Sequence, residues 1–267
     1  MIRINDKKID MKHFPDGTML IKYLADNEST KITWLYDNDE EYMGIFFLVK
    51  HLRTHGVKKI ELFMPYIPNA RMDRVKNSDE VFTLKYFAEF INDLKLDSVE
   101  VLDPHSNVST ALIDNISIIE PTDIILNLLE TVNSDGNTIL FFPDEGAMKR
   151  YSHIASKCDI PYVFGMKNRD WRSGEILGLE VLGETDAVPG KNILIIDDIC
   201  SRGGTFLHSA KALKAMGAAD IDLYVSHLEN SVWEGDMIRS GLVRNIYTTN
   251  SIYRFQDKGP VKVVKEY

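Results

Sequence analysis

The 267-residue chain has no run of 18 apolar residues and no charged-then-apolar leader, which argues against a membrane span and against secretion and points to the cytoplasm. It has two cysteines, Cys158 and Cys200, too few for a disulfide framework and in keeping with a reducing compartment. It has no Ser/Gly-rich linker, no low-complexity tract and no sequence-level repeat. Basic residues are outnumbered, 31 Lys and Arg against 40 Asp and Glu, for a formal charge of −9. General nucleic-acid binders draw their affinity from clustered cations, so the balance speaks against that class. Short pairs such as Lys149-Arg150 suit a small anion better. The remainder, 44% hydrophobic and 27% charged, is the composition of a globular protein long enough for two ordinary domains.

Alternation organises what is there. Residues 1–37 read as strands and turns, with Phe14-Pro15-Asp16-Gly17-Thr18 as a turn. Glu40 to Thr54 places Met43, Phe46, Phe47 and His51 at helical intervals and stops at Gly56. Lys58 to Met64 reads as a strand, Phe82 to Leu94 as a helix and Ser98 to Leu102 as a strand. The pattern restarts near Glu120-Pro121, with Ile124 to Thr131 helical, Thr138 to Phe142 a strand and Ala147 to Lys157 a helix. Pro161 to Gly165 is a strand, Met166 to Glu175 a charged loop, and Glu180 to Leu182 and Ile221 to Ser226 are strands. This order predicts an α/β fold with mostly parallel sheets in two domains, 1–121 and 122–267.

The stretch with the most chemistry is Asn192 to Gly217. Ile193 to Ile196 is a short buried strand with Asp197 and Asp198 at its end. A turn, Ser201-Arg202-Gly203-Gly204-Thr205, then opens a helix through Phe206, Ala210 and Leu213. Carboxylates accept from sugar hydroxyls and hold Mg²⁺ through oxygen. Glycines let backbone N–H groups approach a phosphate, and a helix N-terminus adds positive potential. The same residues also suit an ordinary βα turn bearing a solvated acidic pair. Three further polar clusters close predicted strands: Arg71 to Arg74, Asp103 to His105, and Asp144 to Gly146. Ligands of open parallel sheets bind outside the carboxyl ends of strands.

Asp197, Asp198, Gly204 and Thr205 resemble the phosphoribosyl-diphosphate (PRPP) motif, with Ser201 where that pattern has Asp and Arg202 where it has Thr. Together with the other clusters the chain resembles the ribose-phosphate pyrophosphokinase (PRPP synthetase) family along nearly its whole length. Met64 to Arg74 is similar to the family's Pro-Tyr-x-x-x-Ala-Arg-Gln-Asp-Arg segment, with Met72 for Gln. Asp103-Pro104-His105 resembles its Asp-Leu-His, and Pro143-Asp144-Glu145-Gly146 its Pro-Asp-x-Gly. Phe14 to Thr18 resembles its Phe-x-Asp-Gly-Glu loop, with Thr18 for Glu, and Asn250-Ser251-Ile252 also fits.

The resemblance implies two tandem phosphoribosyltransferase-like domains, an N-terminal ATP-binding one and a C-terminal one carrying the PRPP motif. It implies transfer of diphosphate from MgATP to the C1 hydroxyl of ribose 5-phosphate. Phe14, Asp16, Arg71 and His105 would contact ATP, and His105 and Asp144 would place Mg²⁺. Asp197, Asp198, Ser201, Arg202, Gly203, Gly204 and Thr205 would bind ribose phosphate. Lys167 and Arg169, in a mobile loop hinged at Gly174 and Gly178, would be catalytic. It further implies a homo-oligomer. Compared with that family both ends are short, which leads us to expect weak allosteric control. Two rivals are a class I phosphoribosyltransferase and an inactive regulatory subunit. Arg202 adds a second acceptor candidate, because a guanidinium fork suits a ribose with a 5-diphosphate, as in ADP-ribose.

Overall fold

The structure, a computed structural model, describes residues 1–25, 28–169 and 176–267, with backbone alone for 167–169 and 176–179. Contacts divide it into two units, Met1–Glu120 and Pro121–Tyr267. Among the described residues no helix is long and apolar enough to cross a membrane.

In the first unit Thr30, Ile32 and Trp34 are buried in alternation with Ser29, Lys31 and Thr33, the period of a strand covered on one face. The elements run β1 (Ile2–Ile4), β2 (Lys7–Lys8), β3 (Met11–His13), β4 (Met19–Ile21), β5 (Ser29–Trp34), α1 (Glu40–Thr54), β6 (Lys59–Phe63), α2 (Thr83–Asp93), β7 (Ser98–Leu102), α3 (Asn107–Leu112) and β8 (Ile116–Ile119). Six strands form one sheet in the order β2-β1-β5-β6-β7-β8, parallel from β5 to β8 and antiparallel through β1 and β2. β3 and β4 make a separate hairpin around the Phe14–Thr18 turn. Helix α1 has its predicted limits but a different buried face. Ile45, Leu48, Val49 and Leu52 enter the core, whereas Met43 and Phe47 are exposed. The aliphatic i, i+3, i+4, i+7 stripe prevails over the aromatic one. Sequence reading did not anticipate α3 or β8.

The second unit contains α4 (Thr122–Val132), β9 (Thr138–Phe142), α5 (Glu145–Cys158), β10 (Tyr162–Arg169), β11 (Ile176–Gly183), β12 (Asn192–Cys200), α6 (Gly204–Ala215), β13 (Ile221–Leu228), α7 (Asp236–Ser240), β14 (Asn245–Thr249) and β15 (Val261–Lys265). Its sheet order is β11-β10-β9-β12-β13-β14-β15, parallel except for the β10–β11 pair. Successive residues serve opposite faces. Ile139, Phe141, Ile193 and Ile195 pack with Phe206, Ala210 and Leu213 of α6. Leu140, Phe142, Leu194 and Ile196 pack with Ile125 of α4 and Tyr151 and Ile154 of α5. Covering both faces makes these strands apolar throughout, as parallel sheets require.

Two boundaries differ from expectation. β12 continues through Asp197 and Asp198 to Cys200, because parallel pairing with β13 reaches Cys200↔Leu228. Of the predicted loop Met166 to Glu175, residues 166–169 instead continue β10, which pairs with β11 through Lys167↔Leu179 and Arg169↔Ile176, while 170–175 lie outside the described residues. Charge there read as a loop because this part of β10 runs past its pairing with β9 and has β11 alone beside it, a two-stranded ribbon that carries charge as readily as a loop does. Gly178 therefore lies on a strand, while Gly174 lies outside the described residues. β14 and β15 were not anticipated.

Candidate active site

Sheet order locates the most favourable ligand crevice of the second unit. The chain goes from β9 to β10 on one side, then returns to place β12 on the other. The gap between the carboxyl ends of β9 and β12 is a topological switch point, where open α/β sheets bind ligands. Asp144 follows β9, and Asp197 and Asp198 lie near the end of β12.

Asp144 is the N-cap of α5, and its Oδ1 accepts from Ala147 N–H at 3.0 Å. Asp197 Oδ1 accepts from Asp198 N–H at 3.0 Å. Burial pushes the Asp197 carboxyl well above the ordinary carboxylate range, and the charges of Asp198 and Asp144 push it further. Asp198 is buried, with its Oδ1 3.8 Å from Arg150 Nη2. Among the described residues no three acidic, His or Cys groups form a ready metal site. The donors are nevertheless carboxylate oxygens, the hard ligands Mg²⁺ prefers, and their mutual repulsion is what a divalent cation relieves.

Beyond β12 the chain turns at Gly203, with φ +80°, and α6 begins at Gly204. A Cβ at Gly203 would lie 2.7 Å from Met237 Sδ, so both backbone and packing demand glycine. Gly235 has no room for a side chain either, since a Cβ would strike the Arg202 carbonyl oxygen. Gly204 and Thr205 are exposed on the first turn of α6, where helix N–H groups have no intrahelical partner. Ser201 is half-buried, and Arg202 projects outward to place Nη2 2.9 Å from Glu234 Oε2. Cys200 is buried, and burial raises its thiol pKa, as do Asp197 and Glu229. It is not a nucleophile here.

The first unit carries the other group. After β6, Asn69 adopts φ +62° and donates from Nδ2 to Tyr42 Oη at 2.9 Å, which fixes the bend before exposed Arg71. Leu102 N–H donates to the Pro65 carbonyl at 3.0 Å, tying this segment to the end of β7. There Asp103 is buried with φ +41°, and half-buried His105 precedes α3. Phe14 is exposed at the tip of the β3–β4 hairpin. Asp16 Oδ1 accepts from Thr18 N–H at 2.9 Å and Thr18 Oγ1 at 2.7 Å, and these bonds hold its carboxyl below the usual range. The residue that departs from the family pattern thus engages its neighbour.

The second unit brings Asp144, Asp197 and Asp198 within electrostatic reach and gathers Ser201 to Thr205 into one turn. Phe14, Asp16, Arg71 and His105 belong to the first unit. The Lys167 and Arg169 side chains lie outside the described residues; their backbone is in β10. Sequence reading missed three features here. One is Arg150 beside Asp198. Another is the Glu234–Met237 segment that braces the turn. The third is a buried polar group at the ends of β13 and β14. In it His227 Nδ1 meets Ser251 Oγ at 2.8 Å and Thr249 Oγ1 donates to the Ser226 carbonyl at 2.8 Å. The run Thr248-Thr249-Asn250-Ser251 was its one available signal.

Comparison with known proteins bears on the fold and the kind of protein. A phosphoribosyl transferase domain model matches residues 113–242. A ribose-phosphate pyrophosphokinase of Saccharolobus solfataricus is 26% identical over 92% of this chain and 84% of its own length. One from Sulfurisphaera tokodaii is 28% identical over 96% of this chain and 88% of its own. The crystal structure of phosphoribosylpyrophosphate synthetase from Mycobacterium smegmatis superposes with a TM-score of 0.77, covering 97% of this chain and 86% of that one. At 17% identity that likeness concerns the fold. The two tandem α/β domains expected from the sequence agree with it.

Proposed function

We propose that the chain is a diphosphate-transferring enzyme of the ribose-phosphate pyrophosphokinase kind, converting MgATP and ribose 5-phosphate to PRPP and AMP, a reading supported by its likeness to relatives of that name over most of its length. The observation that carries this reading is the switch point, where carboxylates meet a glycine turn and a helix N-terminus. Asp197 and Asp198 accept from the ribose hydroxyls. Backbone N–H groups of Gly203, Gly204 and Thr205, with the Ser201 and Thr205 hydroxyls, hold the 5-phosphate. Positioned this way, the C1 oxygen attacks the β-phosphorus of ATP. The bond from that phosphorus to the α,β-bridging oxygen breaks, AMP leaves, and the C1 hydroxyl proton passes to solvent.

In this reading the first unit takes ATP through Phe14, Asp16, Arg71 and His105. Lys167 and Arg169 stabilise the charge that gathers on the bridging oxygen and the transferred phosphoryls. Within the second unit Asp144 would hold Mg²⁺, which would supply neutralisation of phosphate charge, and within the first unit His105 would serve the metal that accompanies ATP. Alignment of the relatives over both units supports this reading above a class I phosphoribosyltransferase, which leaves the first unit without work.

Purified protein incubated with MgATP and ribose 5-phosphate should release AMP and PRPP in equal amounts. Formation of a nucleotide from PRPP and a base would support the class I reading instead, and no turnover would support a regulatory subunit.

A further inference from the structure

Arg202 gives the phosphate turn a long cation, yet that charge is answered. Its guanidinium Nη2 is 2.9 Å from Glu234 Oε2. An exposed pair alone would say little, but the backbone around this one is fixed at several points. Glu229 N–H donates to the Cys200 carbonyl at 2.8 Å, tying the segment to the end of β12. Gly235 packs directly on the Arg202 carbonyl, and Met237 packs on Gly203. The 3-10 turn Asn230–Glu234 and α7 therefore present Glu234 to Arg202 from a braced position.

We infer that Glu234 is a specificity-determining residue that holds Arg202 neutralised and so selects a ribose 5-monophosphate over a ribose bearing a 5-diphosphate. This rests on the reading of Ser201 to Thr205 as the 5-phosphate site. A monophosphate is served by the backbone N–H groups of the turn and the helix, and it leaves the Arg202–Glu234 pair intact. A second phosphate would extend towards the side chains at the rim. There it must either displace the Glu234 carboxylate from the guanidinium or lie beside that carboxylate as a like charge. Sequence alone shows only the added cation and offers a 5-diphosphate ribose as a second acceptor candidate. The carboxylate opposite it favours the monophosphate.

The test compares wild type, Glu234→Gln, Arg202→Thr and the double variant. The probes are ribose 5-phosphate and ADP-ribose, with dissociation constants measured by calorimetry without ATP. Glu234→Gln should tighten ADP-ribose about two- to five-fold, the scale of an exposed ion pair, with a smaller change for ribose 5-phosphate. The gain should vanish when Arg202 is Thr. Equal tightening of both ligands, no tightening, or a gain that survives loss of Arg202 would overturn the inference. Release of AMP from MgATP and ribose 5-phosphate by wild type is measured separately. Its absence would remove the proposed reaction, while the binding comparison would still decide the role of Glu234.

Discussion

Arg150 Nη2 lies 3.8 Å from Oδ1 of Asp198, whose side chain is only 4% exposed. The guanidinium comes from α5, which Asp144 caps, so the helix and its cap contribute both an acid to the crevice and a counter-charge beside it. A buried carboxylate left without its ion partner is costly, although this pair is long and Arg150 retains 27% exposure. Arg150→Met should therefore lower stability by about 1–2 kcal/mol, below the range for a closely paired buried ion. Urea unfolding measures it, and an unchanged midpoint would mean that Asp198 is satisfied by other groups.

Asp197 behaves in the opposite way, because burial and the charges of Asp198 and Asp144 all raise its pKa well above the ordinary carboxylate value. Between that value and the raised one, the folded state binds the proton more readily than the unfolded chain. Stability therefore falls as pH rises through this window. Asp197→Asn removes the penalty. The variant should be more stable than wild type at pH 7, with the difference shrinking towards about pH 4. Under the proposed reaction it should also lose turnover, because Asp197 there accepts from a ribose hydroxyl. Thermal unfolding of both proteins across pH gives the comparison. A variant less stable than wild type at pH 7 would contradict the assigned direction.

The turn itself is predicted to be intolerant. Gly203 combines φ +80° with a Cβ position 2.7 Å from Met237 Sδ. Gly203→Ala should cost about 1–3 kcal/mol from strain and overpacking. It should also raise KM for ribose 5-phosphate more than it lowers kcat. An alanine variant with wild-type Tm and KM would show that Met237 swings away without cost.

How far the sequence could be read is seen by comparing particular elements. The buried strands β7 and β9 were legible to the residue, since short apolar runs bounded by turn residues have few other uses. The strand–turn–helix order around Gly203 was legible because the turn into α6 takes glycine at φ +80°, although the end of β12 was not. The face of α1 was not. The apolar residues of α1 surround more than one face, so the reading followed Met43 and Phe47, which are exposed, rather than Ile45, Leu48, Val49 and Leu52, which are buried. Leu48→Ala should cost about 2–4 kcal/mol and Phe47→Ala less than about 0.5 kcal/mol, which would confirm the aliphatic stripe as the core face. The Arg202–Glu234 contact was illegible for another reason, since 31 residues with no periodic relation separate the partners' neighbours. The 3-10 turn that brings them together has no strong sequence signal.

The β10–β11 hairpin carries the last prediction. The backbone of Lys167 and Arg169 lies in β10, with a register shift against β11 between Asn168 and Arg169. Two cations this close in sequence suit a spread of phosphate charge. Under the proposed reaction that charge grows as the bond to the bridging oxygen breaks, so the cations act mainly in the transition state. Lys167→Ala and Arg169→Ala should each lower kcat about 10²–10⁴-fold with little change in ATP affinity. The double variant should lose less than the product of the single losses, because each cation alone is a damaged unit. Measuring kcat alongside the ATP dissociation constant separates the cases. If both single variants turn over near the wild-type rate, the hairpin has no part in the chemistry. If affinity falls while kcat holds, the pair binds ground-state ATP instead.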